Sequence, residues 1–281
     1  MTIRTAQQLK GLVRNLSKGD SAKAQMLMRS YATERFLERL SLSRYAGNLI
    51  LKGGTLVAAM VGLDARSTMD IDATLKRLPL TEAGVLEVVG EVCSVPLDDG
   101  TAFAVGSVEG IMDEGDYPGV RVHMEALLGR IRIPMKLDFT TDDAITPREL
   151  EFPYGLMFED RAIPVIAYNV ETLLAEKLET LVARGVANTR MRDFYDLYVL
   201  EKTKADLIDE EVLRRAFANT CGKRGTRADR SNVDLVFGEV ESSATMEGRW
   251  LAYSANHEYA SGIAWAAVLE SAGRLLDAAK A

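Results

Sequence analysis

The chain has 281 residues, 47% apolar and 27% charged, and a net charge of −7. That mixture excludes a collagen, a coiled-coil rod and a disordered tail, and the chain is long enough to bury a substantial core. The acidic balance argues against a strong general nucleic-acid binder. Cys93 and Cys221, far apart in sequence, make neither a disulfide framework nor a zinc-ligand spacing, so a reducing compartment is expected. No apolar run reaches the roughly 18 residues of a membrane span, and the first residues lack the apolar block of a signal peptide. The expectation is a cytoplasmic protein with no membrane contact.

Charge is unevenly spread. Residues 1–52 carry ten Lys/Arg against three acids, so a basic arm precedes an acidic body. Residues 4–18 and 21–42 show helical spacing of apolar positions. Residues 48–52 read as a short strand, broken by Gly53-Gly54, with helix over 55–61. Residues 68–74 alternate as a strand, and 81–93 read as a helix. Strands are predicted at 102–111, 120–128 and 130–140, the last two joined by a tight turn at Gly129-Arg130. A last strand is predicted at 165–168. Helices follow at 171–184, 190–202, 210–221 and 261–279. The fold class is α+β: a mixed sheet with flanking helices over residues 1–165, then a helical domain over 166–281.

Four segments carry chemistry. In a strand, residues i and i+2 share a face, so Asp70 and Asp72 present two carboxylates together with no adjacent counter-charge. A hard divalent cation such as Mg²⁺ relieves that repulsion and leaves positions open for substrate phosphates. Gly53, Gly54 and Thr55 allow close backbone approach and open a helix toward a phosphate. Alone, D-x-D is more readily a solvated strand edge. The second segment is Lys136-Leu137-Asp138, a third carboxylate on a strand whose other face holds Ile131, Ile133, Met135 and Leu137. Its plainer reading is an exposed Lys136–Asp138 pair. The third is Glu176-Lys177, in a helix with Asn169 at its N-cap and a stripe of Leu173, Leu174, Leu178 and Leu181. Lys177 is a candidate phosphate contact, and more simply an exposed lysine; on either reading its loss should barely alter stability. The fourth is Arg190-x-Arg192-Asp193-x-x-Asp196-Leu197, with Arg190, Asp193 and Asp196 on one helix face.

Taken in order, these segments resemble the AbiEii/AbiGii-type nucleotidyltransferase toxins of the DNA polymerase β-like superfamily. The matches are K-G-G-T with D-I-D, then K-L-D, E-K and R-x-[K/R]-D-x-x-D-L. Arg192 stands where that pattern usually has Lys. The resemblance implies Mg²⁺ bound by Asp70, Asp72 and Asp138, and nucleotide phosphates held by Gly53, Gly54, Thr55 and Lys177. It implies that Asp193 completes the catalytic set of Asp70, Asp72, Asp138 and Lys177. It further implies transfer of a nucleotide from an NTP to an RNA acceptor, plausibly the tRNA 3′ end, and a cognate antitoxin partner.

The alternative is a nucleotide (GTP)-binding toxin acting by sequestration. A metal phosphohydrolase lacks its usual histidine clusters, since only His123 and His257 are present. Two basic patches could meet RNA. One is Arg4, Lys10, Arg14, Lys18 and Lys23; the other is Lys223, Arg224, Arg227 and Arg230. Thr68, two before Asp70, is a candidate for regulation by phosphorylation.

Overall fold

The computed structural model describes residues 3–66, 68, 70–112 and 118–280. The chain divides into two compact units. The first comprises Met1–Ala59, Ser67–Asp142 and Leu150–Ala167; the second comprises Met60–Arg66, Asp143–Glu149 and Tyr168–Ala281.

The first unit is built on a seven-stranded sheet. Its elements are α1 (Ala6–Ser17), α2 (Ser21–Leu42), β1 (Leu49–Lys52), the start of α3 (Gly53–Val61), β2 (Ile71–Leu75), α4 (Glu82–Ser94), β3 (Thr101–Met112), β4 (Pro118–Leu128), β5 (Ile131–Thr141), β6 (Leu150–Gly155) and β7 (Ala162–Ala167). The strand order is β3-β4-β5-β2-β1-β7-β6. β2 lies parallel to β5 and antiparallel to β1, while β1 lies parallel to β7. The sheet is therefore mixed, and with the helices it gives the expected α+β class.

Local sequence explains the helix starts. Thr5 and Gln8 form a reciprocal capping box at α1, and the Asp20 side chain accepts the Ala22 and Lys23 amides at α2. Strand β5 buries Ile133, Met135, Leu137 and Phe139 and turns Arg132, Pro134 and Lys136 outward, so period-2 patterning selects its core face. Phe36 and Leu37 of α2, Val85, Val89 and Val92 of α4, and Ile50 and Val122 of the sheet are also buried. Each such side chain contributes roughly 1.5–3 kcal/mol. Phe36 meets Phe103 edge to face, 6.1 Å between centroids.

The basic arm is not all surface. Arg39 forks onto Asp99 at 2.8 and 2.9 Å and donates to the Thr101 carbonyl at 2.7 Å, tying α2 to β3. Arg35 is buried against Glu38 at 2.8 Å and Glu159 at 3.3 Å. Part of the basic excess of residues 1–52 is thus internal wiring.

The second unit is helical: α5 (Val170–Arg184), α6 (Met191–Lys204), α7 (Glu210–Arg224), α8 (Arg230–Glu241), α9 (Ala244–Asn256) and α10 (Trp265–Ala279). Asn169 accepts the Thr172 amide at 3.2 Å, as expected of its N-cap position. The buried Trp250 of α9 lies 5.9 Å from Trp265, which lies 5.2 Å from Phe194 of α6.

Three elements escape the sequence reading. β6 carries Pro153 opposite Pro164 of β7, and a proline lowers the strand signal although an edge strand tolerates it. α8 and α9 bury little, chiefly Val233 and Val240, and Met246 and Trp250, so their apolar stripes are thin. β2 is also shorter than the predicted 68–74. It starts at Ile71, leaving Asp70 just ahead of it, and residue 69 lies outside the described residues.

Candidate active site

The sheet register sets four charged residues in a row across neighbouring strands. Lys52 of β1 pairs with Asp72 of β2, Asp72 with Asp138 of β5, and Asp138 with Arg121 of β4. The signs run plus, minus, minus, plus. Asp70 adds a third carboxylate just before β2. The pleat argument for a shared face holds for Asp72 alone, since Asp70 precedes the strand.

The turn from β1 into α3 fits this row. Gly53 has φ +61°, and a Cβ there would overlap the Asp72 carboxylate. Glycine is required twice over, for the left-handed backbone and for the close approach. The Gly54 amide donates to Asp72 Oδ2 at 3.2 Å. Thr55 is buried, and its hydroxyl donates to the Asp70 carbonyl at 2.6 Å. The Thr68 hydroxyl reaches the same carbonyl at 3.4 Å. The side chains of Thr55 and Thr68 therefore fix the Asp70 backbone.

The carboxylates are not without counter-charge, contrary to the sequence expectation. Arg121 holds Asp138 with a two-point fork, Nε to Oδ1 and Nη2 to Oδ2, both 2.7 Å. Its partner is Asp138, whereas the sequence pointed to Lys136 for that carboxylate. This pairing holds the Arg121 guanidinium above its usual pKa. Burial pushes the Asp72 carboxyl up to about 6; Lys52 opposes the rise, while Asp138 and Asp70 add to it. Among the described residues, no three His, Cys, Asp or Glu side chains converge as a ready-made metal cage. The donor chemistry nonetheless fits a hard divalent cation: crowded carboxylate oxygens at a glycine-lined turn, with one of them turned to Arg121.

The second unit holds a different cluster. Lys177 of α5 is buried, not exposed as the sequence reading had it. Its ammonium donates to Asp193 Oδ1 at 2.9 Å and to Asp196 Oδ2 at 2.7 Å. Arg66 donates to both Asp196 oxygens, at 2.6 and 3.3 Å, and Arg190 pairs with Asp193 at 2.7 Å. Asp196 is wholly buried. Burial alone would lower the Lys177 pKa, but the two carboxylates outweigh it and hold it raised. Burial would raise Asp193, and Lys177 and Arg190 hold it below the usual carboxylate range. Arg192 enters only as a weaker charge on Asp193. Each carboxylate of this set has two basic partners.

The family model for the AbiEii toxin, a nucleotidyl transferase of type IV toxin–antitoxin systems, matches residues 35–271. The chain belongs to the AbiEii nucleotidyltransferase toxin family. Its fold is similar to that of two Helicobacter pylori proteins known from crystal structures. One, described as a candidate nucleotidyltransferase, has TM-score 0.50 and 17% identity over 90% of this chain and 95% of that one. The other, JHP933, has TM-score 0.50 and 16% identity over 90% and 92% of the two chains. No curated protein matches the sequence. No helix among the described residues is long and apolar enough to cross a membrane.

This AbiEii-family chain also contains site residues that the sequence reading passed over. Arg121 was legible: counting outward from the two-residue turn pairs Leu128 with Ile131, and hence Arg121 with Asp138. Arg66 carried no signal, because its link to Asp196 spans 130 positions.

The basic patches fare unequally. Arg224 is engaged by Glu179 at 2.7 Å and Glu176 at 3.0 Å, and Arg227 pairs with Asp229. Lys10, Arg14 and Lys18 stand exposed on α1 and at its C-cap.

Proposed function

We propose that this chain is a Mg²⁺-dependent nucleotidyltransferase that moves a nucleotide from an NTP to an RNA acceptor, the 3′ end of tRNA. Its activity would be restrained by a cognate antitoxin protein. The observation that carries this reading is the carboxylate row beside the Gly53-Gly54 turn. In such a transfer the acceptor hydroxyl attacks the α-phosphorus and pyrophosphate leaves.

Asp70, Asp72 and Asp138 would hold the metal. When bound, divalent metal would offset the charge on the transferring phosphoryl group and its leaving group. Gly53 and Gly54 let backbone approach the phosphates, and Thr55 keeps Asp70 in place from behind. On the family resemblance, Lys177 and Asp193 serve the triphosphate. Lys177 has three N–H donors and spends two on Asp193 and Asp196, so one remains for a phosphate oxygen. Exposed Lys10, Arg14 and Lys18 offer the acceptor a phosphate-binding face.

The test is incubation with each labelled NTP, total RNA and Mg²⁺. Label in a tRNA-sized band, lost with EDTA, is the expected result. No label from any NTP would overturn the transferase reading, and nucleotide retained without transfer would turn it to sequestration.

A further inference from the structure

Arg121 sits between two carboxylates on its own sheet. On one side Asp138 of β5 is its register partner and holds both ends of its fork at 2.7 Å. On the other side Glu109 of β3 is its register partner. Glu109 Oε1 meets His123 Nε2 at 3.0 Å, and its charge already acts on the Arg121 guanidinium across the strand pair. The Arg121 side chain is about one-third exposed, so water can follow it as it moves.

We propose that Arg121 is a latch on the metal site: it holds Asp138 until a divalent cation takes that carboxylate, and Glu109 is the seat to which the guanidinium then moves. This rests on the reading of Asp138 as a metal carboxylate. An Arg fork and a cation draw on the same two oxygens and carry like charge, so each weakens the other's hold. The fork matters as much as the charge, because a guanidinium matches a carboxylate at two points and an ammonium does not. Glu109 lowers the cost of release by offering a second carboxylate one strand away, on the side opposite Asp138. Cation binding at Asp138 is thereby coupled to a side-chain rearrangement spanning β3, β4 and β5.

The experiment titrates Mn²⁺ into the full chain without nucleotide and reads free Mn²⁺ by electron paramagnetic resonance. Arg121→Gln should tighten Mn²⁺ binding by roughly threefold to tenfold, as expected for loss of a partly exposed charged pair. Arg121→Lys keeps the charge but loses the fork, and should fall between wild type and Arg121→Gln. Glu109→Gln should weaken binding in the wild-type background and leave it unchanged in the Arg121→Gln background. Arg121→Lys at wild-type affinity beside a tighter Arg121→Gln would reduce the effect to charge repulsion and overturn the latch. Equal weakening by Glu109→Gln in both backgrounds would overturn its role as the seat. Asp72→Asn separates the two levels of inference. If it leaves Mn²⁺ binding intact, the metal reading itself fails and the latch falls with it; if it abolishes binding while the Arg121 variants change nothing, only the latch fails.

Discussion

The sheet unit and the helical unit each gather acidic and basic side chains, but they balance them differently. In the sheet, Asp72 is crowded by Asp138 and Asp70, and its carboxyl is pushed up to about 6 even with Lys52 opposing. In the helical unit, Lys177 is raised and Asp193 lowered, so each of these two is held charged by its partners. The first arrangement is short of positive charge and gains from a cation. In the second, each carboxylate already has two basic partners, and losing one member strands the others. The two sets differ in the sign of their excess: three carboxylates face Lys52 and Arg121 in the sheet, whereas Lys177, Arg66 and Arg190 face two carboxylates in the helical unit, so only the first would be relieved by an added cation.

The sharpest way to break this contrast is Asp72→Asn. If the row exists to receive a cation, labelled-nucleotide transfer should fall on the order of a thousandfold, the scale of losing one essential electrostatic group. Urea unfolding should show no loss of stability, because a crowded carboxylate is being made neutral. A loss above about 1 kcal/mol would mark the row as structural.

The helical cluster should respond in the opposite way. Asp196→Ala leaves Lys177 and Arg66 buried without their shared carboxylate, and should cost about 3–5 kcal/mol in urea unfolding. Lys177→Ala should cost somewhat less, about 2–4 kcal/mol, because Arg190 and Arg66 still serve Asp193 and Asp196. A change below 0.5 kcal/mol in both, as an exposed lysine would give, would dissolve the comparison.

Lys177 also shows where sequence stops being informative. Its helix, its N-cap Asn169 and its leucine stripe follow from local spacing, and all three stand in the structure. Its burial does not, because that depends on Asp193 and Asp196 arriving from a different helix. Hairpin register is intermediate. The Gly129-Arg130 turn fixes every pair on β4 and β5, including Arg121 with Asp138, once it is counted through. The parallel pairing of Asp72 with Asp138 has no such local determinant, since the strands are joined through three other elements, α4, β3 and β4. The D-I-D and K-L-D segments were legible as chemistry, and their adjacency only as family resemblance.

Glu34 sharpens the meaning of a raised carboxyl. Burial pushes it up to about 8, with the Met157 amide and Arg35 opposing. An acid whose folded pKa exceeds its unfolded one contributes stability below the unfolded value and loses it as pH rises through the folded value. Stability should therefore decline between about pH 4.5 and 8, on the order of 2 kcal/mol after local relaxation, and Glu34→Gln should flatten that decline. Added Mg²⁺ should leave the Glu34 contribution unchanged, because the neighbouring Glu38 and Glu159 are already paired with Arg35. A Glu34 effect that vanishes with Mg²⁺ would mean that raised carboxyls alone do not distinguish the site.

The smallest expected effect lies outside both clusters, on α1. Leu9 and Val13 face the core there, while Lys10, Arg14 and Lys18 are exposed, so the helix presents basic charge to solvent without using it for packing. Arg224 is the contrasting case: its guanidinium already serves Glu176 and Glu179, and its removal would unbalance a half-buried pair rather than report on RNA. Neutralising Lys10, Arg14 and Lys18 to Gln should change folding stability by less than about 0.5 kcal/mol. If α1 meets the acceptor, RNA affinity should fall at moderate salt, and the salt slope should shrink by roughly one unit per lost phosphate contact. NTP binding should stay the same, because a mononucleotide has no backbone to reach α1. An unchanged salt slope in the triple variant would remove α1 from the acceptor path while leaving the carboxylate row, and the case for metal-assisted transfer, where it stands.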